Sequence, residues 1–172
     1  MKQIEAHIAV SLDGFIATLD NELDWITSNV KSLIGKKYET ATCLLMGANT
    51  YSYFFEHWGG WLYKSKRTFV VSHYDTNVTP NCGVVFLIDT PLRKIHEMKN
   101  DNDMLLVGGG QLLTSLIQAE LLDSLTLYTV PVMLGKGIRL IGETFGSNWQ
   151  LESTKIVDNN ILLSSYKYVN AR

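Results

Sequence analysis

The chain has 172 residues, which suits one domain burying roughly 70% of its unfolded surface, whereas two domains would leave each with a small core. Apolar residues make up 46% and charged residues 19%, a balance that excludes long disordered stretches. A formal net charge of −2 supplies no broad positive field, which argues against nucleic acid and anionic membrane surfaces as partners.

Residues 2–10 alternate through Ile4, Ala6, Ile8 and Val10 and read as a first strand, with no apolar stretch of signal-peptide length before them. No membrane span is expected further on, and a cytoplasmic location follows. Ser11-Leu12-Asp13-Gly14-Phe15-Ile16-Ala17 then breaks the alternation with an Asp-Gly turn signal. Over residues 24–40, Ile26, Val30, Leu33, Ile34 and Tyr38 recur at helical spacing and predict one helix.

Residues 43–47 are a continuous apolar run, the signature of a central parallel strand covered on both faces, and residues 48–55 predict the next helix. Buried strands are expected at 67–72 and 83–88, and Thr90-Pro91 offers an N-cap with proline at the first helical position of a helix running to about Asn100. Residues 104–107 form another apolar run, closed by Gly108-Gly109-Gly110. Leu112, Leu113, Leu116, Ile117 and Leu121 then mark an amphipathic helix. Leu125, Leu127 and Val130 alternate with polar neighbours, and residues 149–157 and 161–169 predict a terminal hairpin through Asp158-Asn159-Asn160. The expected architecture is α/β, a single domain over residues 1–172 with a mostly parallel central sheet, helices on both faces and a C-terminal antiparallel hairpin.

Cys43 and Cys82 show no CxxC spacing, and Cys43, which opens an apolar run, reads as an ordinary buried thiol of a reducing compartment. His7, His57, His73 and His96 show no HxH or HExxH spacing, and Asp13, Asp20 and Asp24 do not match an EF-hand loop, so no metal site is expected. Trp58-Gly59-Gly60-Trp61 reads as a loop anchored by aromatics, with a pocket lid or dimer contact as the other option.

Open α/β sheets bind ligands beyond the carboxyl ends of their strands. Gly47-Ala48-Asn49-Thr50 and Gly108-Gly109-Gly110-Gln111 both stand at strand-to-helix junctions, where an absent side chain admits phosphate and a helix N-terminus offers free N–H donors. Either cluster alone is compatible with a plain turn. Two together suit an extended diphosphate, and the GxGxxG and GxxxxGK[ST] motifs are both absent.

Five segments in register carry a family resemblance: residues 11–17, Asp24-Trp25-Ile26-Thr27-Ser28, Leu45-Met46-Gly47-Ala48-Asn49-Thr50-Tyr51, Val107-Gly108-Gly109-Gly110 and Pro131-Val132-Met133-Leu134-Gly135-Lys136-Gly137. Over nearly its whole length the chain resembles the dihydrofolate reductase-like group that includes the carboxy-terminal reductase domain of bifunctional riboflavin-biosynthesis (RibD) proteins. The resemblance implies an NADPH-dependent reductase in which Ala9, Ile16 and Ala17 border the nicotinamide and Gly47, Asn49 and Thr50 meet the diphosphate and adenosine. Ser72 and His73 would lie at the ribose phosphate, and Gly108, Gly109, Gly110, Gln111 and Leu112 would flank the other side. A cis peptide at Gly108-Gly109 is a further implication, and homodimerisation, common in that group, is carried over as an open expectation.

Related reductases place a base just after the glycine matching Gly47, where this chain has Ala48 and Asn49, so a 2′-phosphate would look to His73 or to Lys64-Ser65-Lys66-Arg67, which otherwise reads as a solvated turn. Residues 27–31 lack the carboxylate by which folate-reducing members hold a pterin. The 25–28 segment is closer to the riboflavin-pathway reductase, whose substrate is a phosphoribosylaminopyrimidinone, though that enzyme's Asn-Pro and Thr-x-Arg elements are replaced by Tyr51-Ser52-Tyr53-Phe54-Phe55. Asp13 is the candidate for orienting substrate or a relay water, or else simply forms an Asp-Gly turn. Ser11 and Trp25 are candidate substrate contacts, Trp25 by stacking on a flat heterocycle or else as core. A nucleotide-binding or regulatory protein that has lost catalysis is the alternative on the same fold.

Overall fold

In chain order the computed structural model has β1 (Ile4–Ser11), β2 (Phe15–Ala17), α1 (Ser28–Thr40), β3 (Cys43–Gly47), α2 (Ala48–Trp58), β4 (Arg67–Ser72), β5 (Val84–Ile88), α3 (Leu92–Asp101), β6 (Met104–Gly108), α4 (Gly110–Gln118), β7 (Ser124–Val130), β8 (Ile138–Arg139), β9 (Asn148–Val157) and β10 (Ile161–Val169). It describes residues 2–73, 83–89, 92–143, 146–158 and 160–169. Cys82, the Thr90-Pro91 cap and Asn159 of the hairpin turn lie outside the described residues.

Eight strands form one sheet in the order β5-β4-β3-β6-β1-β7-β10-β9. The pairs from β5 to β7 are parallel, and β10 runs antiparallel to both β7 and β9. The helices divide between the faces. Ile95 of α3 and Leu112, Leu113, Leu116 and Ile117 of α4 pack with Ile4, Ala6 and Ile8 of β1. Val30, Ile34 and Tyr38 of α1, with Tyr51 and Phe54 of α2, pack on the other face with Ala9, Leu44 and Met46. Leu44, Leu45, Met46 and Leu106 are fully buried because the central strands are covered twice, and each such side chain stabilises the fold by about 1.5–3 kcal/mol relative to exposure.

The parallel α/β plan with its terminal hairpin is the one expected from the apolar runs, and three local details differ. The first helix starts at Ser28, capped by the Thr27 hydroxyl accepting from the Val30 amide at 3.3 Å, so Trp25 lies in the preceding turn. Thr126 and Tyr128 are buried together with Leu125, since β7 too is covered on both faces and its alternation does not separate core from solvent. β2 and β8 form a separate two-stranded antiparallel sheet, with Phe15 opposite Arg139 and Ala17 opposite Ile138. Gly137 is required there: a Cβ on it would collide with the Ala17 carbonyl oxygen and press on Phe15. In the Trp58–Trp61 loop, Gly59 closes α2 at φ 69°. Trp61 is completely buried and donates to Thr68 Oγ1 at 3.0 Å, which anchors the loop to its own fold.

Candidate active site

Parallel strands place their carboxyl ends on one side, and β3 and β6 are immediate neighbours, with Met46 paired to Gly108. The two glycine junctions therefore meet. A Cβ on Gly47 would lie 4.0 Å from the Gly109 amide nitrogen, and one on Gly109 would lie 3.2 Å from Thr50 Oγ1. The Gly108-Gly109 peptide is cis. Both helices that start here have glycine at the N-cap, Gly47 for α2 and Gly109 for α4, with no side-chain capping bond and no acidic residue in the first turn. The first-turn amides and the positive ends of two helices are thus available to one anionic ligand, whereas α1 is closed by Thr27. Side chains at residues 47 and 109 would fill this notch, so the residues present fit a dinucleotide diphosphate.

β1 lies beside β6 and delivers Ala9 and Ser11 to the same end of the sheet. The Ser11 hydroxyl is buried, donating to Asp13 Oδ1 at 2.6 Å and accepting from the Phe15 amide at 2.9 Å, so its proton and one lone pair are committed to the turn. Asp13 also accepts from the Leu134 amide at 3.1 Å and the Gly135 amide at 2.7 Å, binding the β1–β2 turn to the segment after β7. The Ser11 hydrogen bond, and then the Gly135 and Leu134 amides, hold this carboxyl below its ordinary value against an opposing effect of burial. Asp13 is therefore ionised at neutral pH and acts as an acceptor rather than an acid.

Ile16 and Ala17 lie on β2, and Ile16 Cδ1 would be 3.5 Å from a Cβ on Gly110, which brings β2 to the start of α4. Asn49 is exposed and Thr50 half-buried on the first turn of α2, while Gln111 is exposed and Leu112 buried on α4. Ser72, buried, ends β4 next to β3, and the exposed His73 follows it on the side of Gly47. Trp25 is half-buried, and its indole nitrogen is buried without a hydrogen-bond partner, a donor open to an acceptor atom of a ligand.

The basic cluster expected as one source of a phosphate partner is elsewhere. Arg67 begins β4 whereas the glycine junctions lie where β4 ends. Lys66 Nζ donates to the Ala41 carbonyl at 3.0 Å, and Arg67 covers the Phe69 ring at 5.2 Å. Six residues of strand, roughly 20 Å, separate the cluster from the crevice, and this leaves His73 of the two sources.

Sequence reasoning missed Arg139 and Asp158. Arg139 sits on β8 with its guanidinium 5.3 Å from the Phe15 ring centre. Asp158, in the turn joining the last two strands, accepts from Thr27 Oγ1 at 3.1 Å and Asn29 Nδ2 at 2.6 Å, so a carboxylate does reach the start of α1 from a distant segment. Pairings over more than a hundred residues leave no local pattern to read.

The sheet order, with its two glycine junctions side by side, is that of a dihydrofolate reductase-like α/β fold. A family model, RibD C-terminal domain, matches residues 2–163, and the chain belongs to that family, a family of reductases. It is 26% identical over 153 residues to the uncharacterized protein YyaP of Bacillus subtilis (strain 168), covering 79% of this chain and 78% of that one. A protein from Shewanella sp. PV-4, assigned provisionally to riboflavin biosynthesis, superposes with a TM-score of 0.84 at 25% identity, covering 98% of this chain and 99% of the other. Dihydrofolate reductase from Enterococcus faecalis, solved in complex with NADP(H), shares the fold with a TM-score of 0.71 at 20% identity, over 98% and 97% of the two chains. Among the described residues no helix is long and apolar enough to cross a membrane, and no three His, Cys, Asp or Glu side chains cluster as a metal site.

Proposed function

We propose that this protein is an NADPH-dependent reductase that passes a hydride to a C=N or C=O bond of a small planar heterocycle. One observation carries the reading: two glycine-capped helix N-termini, bare of side-chain caps and of acid, open onto one notch between Gly47 and Gly109. When bound, the reduced nicotinamide supplies the hydride. The amides of residues 47–50 and 108–112 hold the diphosphate, Ser72 and His73 take the adenosine end, and Ala9, Ile16 and Ala17 border the nicotinamide. Trp25 offers its unpaired N–H and ring to the heterocycle, and Asp13, ionised, keeps the β1–β2 turn in place or orients a water. The proton that follows the hydride comes from solvent or from a group of the substrate, because Asp13 does not carry one at neutral pH.

NADPH titration followed by nicotinamide fluorescence, and then oxidation at 340 nm against pterins and aminopyrimidinones, tests the assignment. Saturable binding with turnover of one such heterocycle is expected, and absence of NADPH binding sinks it. A second reading, a nucleotide-binding protein without catalysis, is favoured by the lack of a carboxylate within residues 27–31. Tight NADPH binding with no turnover of any heterocycle would select that reading.

A further inference from the structure

We infer that Arg139 is the cation that meets the cofactor's diphosphate, a role that rests on the nicotinamide reading above. Backbone amides and helix ends contribute only partial charges, so a diphosphate is held most firmly where a guanidinium adds charge-assisted hydrogen bonds. The cations read from the sequence, His73 and residues 64–67, are candidates for the 2′-phosphate and leave the diphosphate without one. Ala48 and Asn49 follow Gly47, and Lys66 and Arg67 are engaged at the far end of β4.

Beside the first turns of α4 lies a hollow of about 350 Å³ lined by Gly110, Gln111, Thr114, Ser115, Ile138 and Arg139, with Gly142 closing it. Arg139 is the charged residue of that lining, and no carboxylate belongs to it. Among the described residues no ion pair engages its guanidinium, which rests against the Phe15 ring. Its backbone is fixed twice, by pairing with Phe15 and by contact with α4. A Cβ on Gly110 would stand 2.5 Å from the Arg139 carbonyl oxygen, so only glycine lets the α4 N-terminus come this close. The arrangement brings a cation to a hollow shared with Gly110 and Gln111 of the α4 first turn, where Ile16 also approaches Gly110. Because this place is the α4 side of the notch, away from Ser72 and His73, Arg139 serves the diphosphate common to NADPH and NADH and not the 2′-phosphate that distinguishes them.

The test measures dissociation constants for NADPH, NADH and ADP-ribose at two salt concentrations in the wild-type protein and in Arg139→Met and Arg139→Lys. Arg139→Met keeps a stem against Phe15 and is expected to weaken all three ligands by roughly ten- to a hundredfold, with a shallower salt dependence, while Arg139→Lys loses less. Unchanged affinity in Arg139→Met overturns the inference, and so does a loss confined to NADPH, which would move Arg139 to the 2′-phosphate. If Arg139→Met unfolds, Arg139→Lys and the thermal shift given to the wild-type protein by inorganic pyrophosphate decide: wild-type affinity in the lysine variant together with no pyrophosphate shift overturns it. A wild-type protein that binds none of the three ligands defeats the reductase reading itself, a result visible before any variant is made.

Discussion

Gly47 and Gly109 face each other across the β3–β6 seam, with 4.0 Å between the position of a Cβ on the first and the amide nitrogen of the second. The backbone of Gly47 is extended at φ −79° and a Cβ there meets nothing closer than 4.0 Å, so neither torsion nor packing within the chain demands glycine. Gly47→Val is expected to shift the melting temperature by no more than a few degrees while weakening NADPH binding at least tenfold. Paired thermal melts and cofactor titrations check this, and full retention of NADPH affinity would show that the notch is not the binding site.

Asp13 joins two loops through three hydrogen bonds, and its carboxyl lies below the ordinary value of 3.8 chiefly because Ser11 donates to it. A depressed folded-state value gives stability that is complete above 3.8 and is lost as pH falls through the lower folded value. Asp13→Asn should therefore flatten the acid limb of melting temperature against pH. It should also leave NADPH affinity near that of the unmodified protein while turnover falls. An acid limb of unaltered slope would mean that the hydrogen bonds do not stabilise the carboxylate.

At the other end of the sheet, Asp123 accepts from Lys99 Nζ at 2.7 Å and from the Ile4 amide at 2.7 Å, tying α3 and β1 to the start of β7. Lys99 is only 15% exposed, so removing Asp123 leaves a poorly solvated cation with the Leu121 carbonyl as its remaining acceptor, and an unpaired Ile4 amide. Asp123→Ala should cost about 2–4 kcal/mol in urea unfolding without changing cofactor affinity in the folded protein. A loss below about 0.5 kcal/mol would place this pair among inconsequential surface contacts.

Burial raises the Cys43 thiol to about 11, outweighing the opposite pull of Arg67. Iodoacetamide at pH 8 is expected to spare Cys43 in the native protein and to modify it once urea exposes β3, as read by peptide mass spectrometry. Equal rates in both states would contradict a closed sheet centre.

The sheet was legible in the sequence because its strands are covered on both faces, so residues 43–47 and 104–107 are unbroken apolar runs ended by glycine. The two glycine junctions could be found for the same reason. The small β2–β8 sheet could not, since strands of three and two residues carry no period, and Phe15, Ala17 and Ile138 pair across some 120 positions. Asp158 was equally hidden, because its carboxylate matters only after the last turn has been folded against Asn29. The cluster at 64–67 precedes β4, where a solvated turn is the reading the charge run favours, because composition shows charge but not which end of a strand presents it.

The reversed direction of β10 has a practical consequence. β1 begins and β10 finishes at the edge of the molecule remote from the glycine notch, where the Tyr168 amide donates to the Asp123 carbonyl beside Ile4. Affinity tags, fluorescent fusions or neighbouring modules attached through either strand would project away from the glycine notch. A linker joining the start of β1 to the finish of β10 in a circular permutant would likewise leave the notch unobstructed.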